Sequence, residues 1–365
     1  MPVKLGRSML MLVLLIAGCH QSPSEQHQEE PEPHTSKTNV ISLCSLLSQQ
    51  MQNINNSSSI QDLQYVNQQL QKCLPQIPMA ERQQLLYAST SMYQRFLASD
   101  RSTEEQRAFD QYAMSGNAVY STSYLSEMSP RDRYLIQNQG NAAYYEVYDS
   151  GDTGIMYRRQ PQYLLHIFAP YLPKAEQFFI EHLAAQNQFP ILSGNSFNAS
   201  WSELSKRALF WQNYVNTYPN SALIDDAQRL KFKYAQFLFH GVSNIPVSTN
   251  YVGEDSIYPE ALEEIKYLAT QDHSNLGLQA KKFLRFIHIA PSQRDQDIPV
   301  ELSPTEQRSA QSNTIKAIKQ LDRYIGLYDP LTLDSTHINR DCLSDAICIT
   351  HPGKVANTLV SKQQF

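Results

Sequence analysis

The sequence predicts a mainly α fold, in which helical hairpins stack as an array, with one small β-hairpin near residues 143–159. Apolar residues recur at helical intervals along most of the chain after residue 40, as in helices that bury one face. Glycine is scarce, with 12 residues in 365 where about 7% is usual, and helices tolerate this better than tightly turned sheets. Prolines and polar turns divide the apolar segments into separate helices.

The amino-terminal segment predicts export. Residues 1–18 carry Lys4 and Arg7 but no acid, and the apolar run after Arg7 is too short to cross a membrane as a helix. These features are typical of a secretory signal peptide over residues 1–18. Residues 19–40 are polar and rich in Glu, Gln, Ser and Pro, so they bury too little apolar surface to offset their ordering entropy. We expect a flexible tether there.

The signal ends in "IAGC", Ile16 to Cys19, which resembles the lipobox of bacterial lipoproteins. In that family the cysteine sulfur receives a diacylglycerol, so the resemblance implies that Cys19 is the lipidation site, with acyl chains such as palmitate. His20 follows the cysteine, and a residue other than Asp there implies sorting to the outer membrane, on its periplasmic face. The alternative is a secreted protein whose signal ends in cysteine by coincidence.

Four cysteines remain after the lipidation site: Cys44, Cys73, Cys342 and Cys348. An even number in an oxidising compartment predicts two disulfides, and three pairings are open. We favour Cys44 with Cys73, because they lie on two predicted helices joined by a polar turn, and Cys342 with Cys348, which closes a small loop. A zinc site is the rival interpretation, but no histidine lies at ligand spacing from either pair.

Residues 41–125 are predicted to form an amino-terminal helical region. A hairpin is expected over Val40–Leu74, turned at "NINNSSS", Asn53 to Ser59. Prolines after Leu74 end the second helix, and a third is expected over Met79–Ala98.

Residues 126–200 are predicted to be mixed. From Ala143 to Asp149 β-favouring residues alternate, "SGDTG" is a turn, and "IMYRR" returns as a second strand. A helical stretch over Gln162–Gln188 is interrupted by Pro170 and Pro173.

The β-hairpin also carries an alternative ligand site, because carboxylates and arginines beside tyrosines suit glycan binding or acid–base chemistry. Its predicted members are Tyr144, Glu146, Tyr148, Asp149, Arg158 and Arg159. The competing interpretation is structural, since turns favour Asp and strand faces favour Tyr without any ligand.

Residues 201–328 contain the clearest pair of helices. A helix beginning near Ser202 presents Leu204, Ala208 and Trp211 on one face and ends at Tyr218–Pro219, since proline disfavours helix in the residue before it. Asn220 or Ser221 is expected to cap the next helix, which presents Ala227, Leu230, Tyr234 and Phe237 on one side. "SPTEQ", Ser303 to Gln307, predicts a capping box that opens a helix through Ile325, and residues 329–365 are expected to be an irregular tail.

The junction between these helices resembles that of tetratricopeptide repeats in periplasmic proteins, where "YP-x-S" precedes a small residue six positions after the serine. Here Tyr218, Pro219, Ser221 and Ala227 match, and Ser274 precedes Ala280 by the same interval. The two serines are 53 residues apart rather than about 34, and an inserted loop over residues 242–259 accounts for the difference. The resemblance covers about residues 202–284. It implies a groove for a partner protein, with the candidate residues Trp211, Tyr214, Tyr218, Tyr234 and Phe237.

Composition and motifs limit the function. The formal net charge is −5 and no basic stripe occurs, which disfavours nucleic-acid binding. The chain has no G-x-S-x-G, S-x-x-K or H-E-x-x-H motif, so we expect no enzyme, catalytic residue, cofactor or metal. The leading hypothesis is a lipid-anchored adaptor that holds an envelope protein in outer-membrane assembly, peptidoglycan synthesis and division, or an envelope-spanning secretion apparatus. The alternatives are a lipoprotein that binds or processes peptidoglycan or another glycan around Tyr144–Arg159, and a structural lipoprotein without a client.

Overall fold

The computed structural model is mainly helical, and the strands among its described residues form two-stranded antiparallel ladders, so the predicted fold class is confirmed. It describes residues 44–115, 118–140, 142–149, 155–193, 196–242, 244–271, 273–330, 338–339 and 349–350. The predictions for the signal peptide, the tether with Cys19, and Cys342 with Cys348 lie outside the described residues.

The amino-terminal helices are α1 Leu47–Asn53, α2 Ile60–Cys73, α3 Met79–Phe96, α4 Thr103–Ser115, α5 Ala118–Glu127 and α6 Pro130–Asn138. Helix α2 begins with a capping box, in which Ser59 and Asp62 satisfy each other's backbone N–H groups. Helices α1 and α2 pack together as the predicted hairpin. Cys44, just before α1, is bonded to Cys73 at the end of α2, with a Cα–Cα distance of 5.5 Å. This pairing was the one favoured from the sequence.

The predicted β-hairpin is present. Strands β1 Tyr145–Asp149 and β2 Ile155–Arg159 pair antiparallel, with Tyr145 opposite Arg159. The elements that follow are α7 Gln162–Ile167, a 3₁₀ turn Ala169–Tyr171, α8 Lys174–Gln188, and a ladder of β3 Leu192–Ser193 with β4 Ser196–Phe197. The helical stretch is therefore interrupted where its prolines predicted.

The carboxyl-terminal helices are α9 Trp201–Thr217, α10 Ile224–His240, α11 Pro259–Ala269, α12 Asn275–Phe286, α13 Pro291–Asp297, α14 Pro304–Gln307 and α15 Ser312–Ile325. Helices α9 and α10 form one hairpin and α11 and α12 a second. The first contacts the second mainly through α9, and α15 packs on α12. Small Ala227 and Ala280 are buried in these helices, where they allow close approach of neighbouring backbones.

Two sequence predictions in this region are wrong. Neither Asn220 nor Ser221 caps α10, whose N-cap is Leu223 without a side-chain cap. The Ser221 hydroxyl instead donates to the buried carboxylate of Glu176 in α8, 2.9 Å away, which also accepts the backbone N–H of Ala222. The helix expected from Ser303 to Ile325 is also interrupted. Its capping box opens only the four-residue α14, and α15 starts at Ser312.

The described residues of the inserted segment, 242 and 244–259, pack against the second hairpin. A ladder of β5 Gly241–Val242 with β6 Ile245–Pro246 lies at its start. Val247 and Tyr251 are fully buried. The Arg294 guanidinium, only 1% exposed, donates to four backbone carbonyls, which belong to Asn250, Tyr251, Phe286 and Ile289. This arginine thus ties the inserted segment to the ends of α12 and α13.

Buried apolar residues form one continuous core from Leu47 to Leu327, with members in each of the regions 41–125, 126–200 and 201–328. A smaller cluster of Ala108, Phe109, Met128 and Ile136 lies under α4 and α6 and contacts the β-hairpin. The two helical regions therefore share a core, on which the carboxyl-terminal hairpins are held in place.

Candidate functional site

The aromatic residues predicted to line a groove mostly lie in the core. Trp211, Tyr214 and Tyr234 are at most 1% exposed, and only Tyr218 and Phe237 are half-buried. The Trp211 indole N–H donates to Gln186 Oε1 at 2.9 Å, so its one polar atom is also satisfied inside the protein. Large aromatic rings at a helix interface bury most of their surface. The prediction that these five residues form the groove is therefore wrong for the three that are buried.

The polar residues of the β-hairpin are engaged with one another. Arg158 is 8% exposed, pairs with Glu146 at 2.7 Å, and lies over the Tyr148 ring at 3.9 Å. Its guanidinium also donates to the carbonyl of Asn187. A glycan at this place would have to displace contacts that the hairpin already makes.

Arg159 points away from that cluster into the core. It is 2% exposed and donates to the hydroxyls of Ser89 and Thr90 at 2.9 and 3.1 Å. Tyr144 is half-buried and packs edge-on against Tyr163, with ring centroids 5.5 Å apart. The side chain of Asp149 lies outside the described residues. The structure thus does not bring the two arginines of the alternative ligand site to one surface.

A cavity of about 410 Å³ lies between α9, α10, α12 and the residues that follow α15. This volume is within the range of about 300–1,000 Å³ that ligand sites occupy. The apolar part of its lining comes from these elements and from the end of α15, and it includes Ala208, Phe232, Ala235, Leu276, Leu278, Ile325 and Leu327. The cavity lies in the region of the predicted groove, but it is lined by other residues.

Four side-chain amides line the cavity, and two of them hold its walls together. Gln212 Oε1 accepts the backbone N–H of Leu276 at 2.8 Å, which joins α9 to α12. Gln279 donates to the carbonyl of Gly326 at 3.3 Å. The side-chain amides of Gln228 and Asn275 make no hydrogen bond to any residue that the structure describes. Each therefore has a donor and an acceptor free for a ligand.

Two lysines give the cavity its charge. Lys231 on α10 is half-buried, and burial lowers the pKa of its ammonium group. Lys282 on α12 is exposed at the rim. Within the described part of the chain, the lining contains no Asp, Glu or His, and neither lysine forms an ion pair. The cavity is therefore positively charged and lacks a counter-ion from the described residues.

Carboxylates near the cavity have partners of their own. Asp329 follows the lining residue Tyr328, but its carboxylate pairs with Arg229. Asp322 on α15 lies 2.7 Å from the imidazole of His240. These contacts explain why acidic residues close in sequence to the lining do not neutralise its lysines.

Neither lysine was predicted as a site residue. On α10, Gln228 and Lys231 lie at helical spacing beside the buried stripe, and on α12 so do Asn275, Gln279 and Lys282. The sequence signal was thus a polar stripe next to an apolar one on two consecutive hairpins. Only the packing of α9 and of the residues after α15 turns these stripes into a cavity.

The fold and the cavity define a helical protein whose packed hairpins surround a concave site. Comparison of the chain with family models, with curated proteins and with solved structures gives no match. The described residues contain no group of three or more His, Cys, Asp or Glu side chains that could hold a metal ion. Among the helices described, none has both the length and the apolar character needed to cross a membrane.

Proposed function

We propose that this protein is a membrane-tethered scaffold of the cell envelope, which binds a segment of a partner protein in the cavity between α9, α10 and α12. The observation that carries the proposal is a concave, partly apolar site whose Gln228 and Asn275 amides are uncommitted among the described residues. Amide side chains match the alternating donors and acceptors of a peptide backbone, and an apolar lining accepts its side chains. The proposal assigns no catalytic step.

The membrane attachment is proposed from the sequence alone. Cys19 of the "IAGC" motif would carry the lipid, and the polar residues 19–40 would act as a tether with a reach of about 25 Å. The folded part would then stay close to the periplasmic face of the outer membrane. Labelling cells with an alkyne-bearing palmitate analogue tests this, because the Cys19→Ser variant should lose the label. Equal labelling of both proteins would refute lipidation at this cysteine.

The partner-binding proposal is tested by photo-crosslinking in intact cells. A benzoylphenylalanine is placed at position 278, where Leu278 lines the cavity and is 48% exposed. The matched control places it at position 267, where Tyr267 is 59% exposed on α11 and does not line the cavity. We expect a discrete partner to be captured from position 278 and not from position 267.

A blocking variant identifies the cavity as the cause. Asn275→Trp adds a large ring at the exposed mouth of the cavity, and Asn216→Trp makes the same change at an exposed position of α9 away from it. Capture from position 278 should disappear with Asn275→Trp and persist with Asn216→Trp. Capture that survives Asn275→Trp, or that is equal from positions 278 and 267, would refute a binding role for the cavity.

A further inference from the structure

The charge of the cavity indicates the chemistry of its occupant. The Lys231 ammonium group is half-buried, and no described carboxylate lies close enough to pair with it. Burying a charge without a partner is unfavourable, because the interior replaces only part of its hydration. A negatively charged ligand would supply the missing partner. Since Lys282 lies on the facing helix α12, such a ligand could contact a cation on each side.

The nearby acids cannot fill this role without breaking contacts of their own. Asp329 would have to leave Arg229, whose side chain is 6% exposed and would then remain as a buried charge. Asp322 would have to leave His240. The counter-charge for Lys231 is therefore expected from outside the described part of the chain.

The remaining lining selects among negatively charged ligands. A nucleic acid or another long polyanion would approach a protein whose formal net charge is −5, and two lysines neutralise few phosphates. A short peptide with both acidic and apolar side chains fits better, because Phe232, Leu278 and Tyr328 offer apolar contacts beside the lysines, and Leu278 and Tyr328 are 48% and 66% exposed. Its backbone would meet the amides of Gln228 and Asn275.

We propose that the partner segment bound in the cavity is acidic, with carboxylates that pair with Lys231 and Lys282 and apolar side chains that contact Phe232, Leu278 and Tyr328. The inference rests on the proposed function, since it names the chemistry of the segment that the scaffold binds. Carboxylate–ammonium hydrogen bonds are among the stronger ones in proteins, so each lysine should contribute about tenfold to affinity.

The test uses three dye-labelled octapeptides that have the same apolar residues at the same positions. The remaining positions are all Glu in the first peptide, all Gln in the second and all Lys in the third. Their binding to the mature chain is measured by fluorescence anisotropy. The Glu peptide should bind at least about tenfold more tightly than the Gln peptide, and the Lys peptide most weakly. Lys231→Gln and Lys282→Gln should each weaken the Glu peptide about tenfold and leave the Gln peptide unchanged. Lys206→Gln, at an exposed position of α9 outside the cavity, is the control and should change neither.

Three results would overturn the inference. These are equal affinity for the Glu and Gln peptides, an unchanged preference for Glu in both lysine variants, and absence of binding by all three peptides. Crosslinking from position 278 separates this failure from that of the proposed function. If capture persists in the Lys231→Gln and Lys282→Gln variants, the cavity binds a partner but not through its charge. If capture is absent from the wild type, the binding role itself fails.

Discussion

Removal of the Cys44–Cys73 bond is expected to lower the free energy of unfolding by about 3.6 kcal/mol. The bond joins residues with a sequence separation of 29. The chain-entropy relation, −2.1 − 1.5R ln n in cal/mol/K, gives about 3.6 kcal/mol at about 25 °C for a loop of this length. Cys44→Ser is the variant of choice, because Cys44 is half-exposed, whereas a hydroxyl in place of the fully buried Cys73 would add a desolvation penalty of its own.

The assay is urea unfolding followed by far-ultraviolet circular dichroism, with and without a thiol reductant. Reductant should destabilise the wild type by the amount that Cys44→Ser does. Any change in the free energy of unfolding that reductant causes in the Cys44→Ser variant must come from the other cysteines, and it is subtracted from the change in the wild type. The dependence of unfolding on urea should also steepen without the crosslink, because the unfolded chain exposes more surface. A loss below about 1 kcal/mol, with an unchanged urea dependence, would refute the reasoning.

Three further predictions concern buried polar contacts and close packing. Arg294→Gln should destabilise the protein by about 3 kcal/mol, because the carbonyls around the guanidinium lose their hydrogen-bond donor. Thermal unfolding measures the change, and an unaltered free energy of unfolding would contradict the prediction. Burial raises the pKa of Asp132, but hydrogen bonds from Arg101 and Ser129 outweigh this effect and place the pKa below its usual value. The contribution of the Asp132 carboxylate to stability is therefore complete above about pH 4 and is lost as the pH falls through its folded-state pKa. Asp132→Asn should lower the free energy of unfolding by about 3–5 kcal/mol at neutral pH, and this loss should become smaller on acidification. Urea melts at several pH values test this, and a loss that does not change with pH would be inconsistent with the Arg101–Asp132 ion pair. Gly277→Ala should destabilise the protein by about 1–3 kcal/mol, because the new Cβ would lie 2.1 Å from the carbonyl oxygen of Gln271. At most helical positions the same change is stabilising, so a raised melting temperature would contradict this steric conflict.

Much of the fold follows from local patterns in the sequence. The break at Tyr218–Pro219 and the alternation from Ala143 to Asp149 each act within a few residues, and the corresponding helix end and strands were predicted. The Cys44–Cys73 pairing followed from the polar turn between their helices. These features depend on backbone preferences and on short-range contacts, which a sequence displays directly.

The site was predicted less well, because it depends on contacts between distant segments. Ser221 was expected to cap a helix, but Glu176, 45 residues earlier, binds its hydroxyl. Aromatic spacing favoured Trp211 and Tyr234 as groove residues, yet the same apolar character places them in the core. Lys231 becomes a site residue only because the chain after α15 returns to α10 and encloses it. Periodicity tells which face of a helix is apolar, but it does not tell which neighbour will cover that face.

The arginine that holds the inserted segment also limits how this protein can change. The inserted segment joins α10 to α11 and so connects the two hairpins. Its carbonyls at Asn250 and Tyr251 are acceptors for Arg294. A variant that lacked the inserted segment but kept Arg294 would leave part of the buried guanidinium without hydrogen-bond acceptors. Loss of the insertion and replacement of Arg294 are therefore expected to occur together among natural variants of this sequence, so that one change would be found only where the other is found.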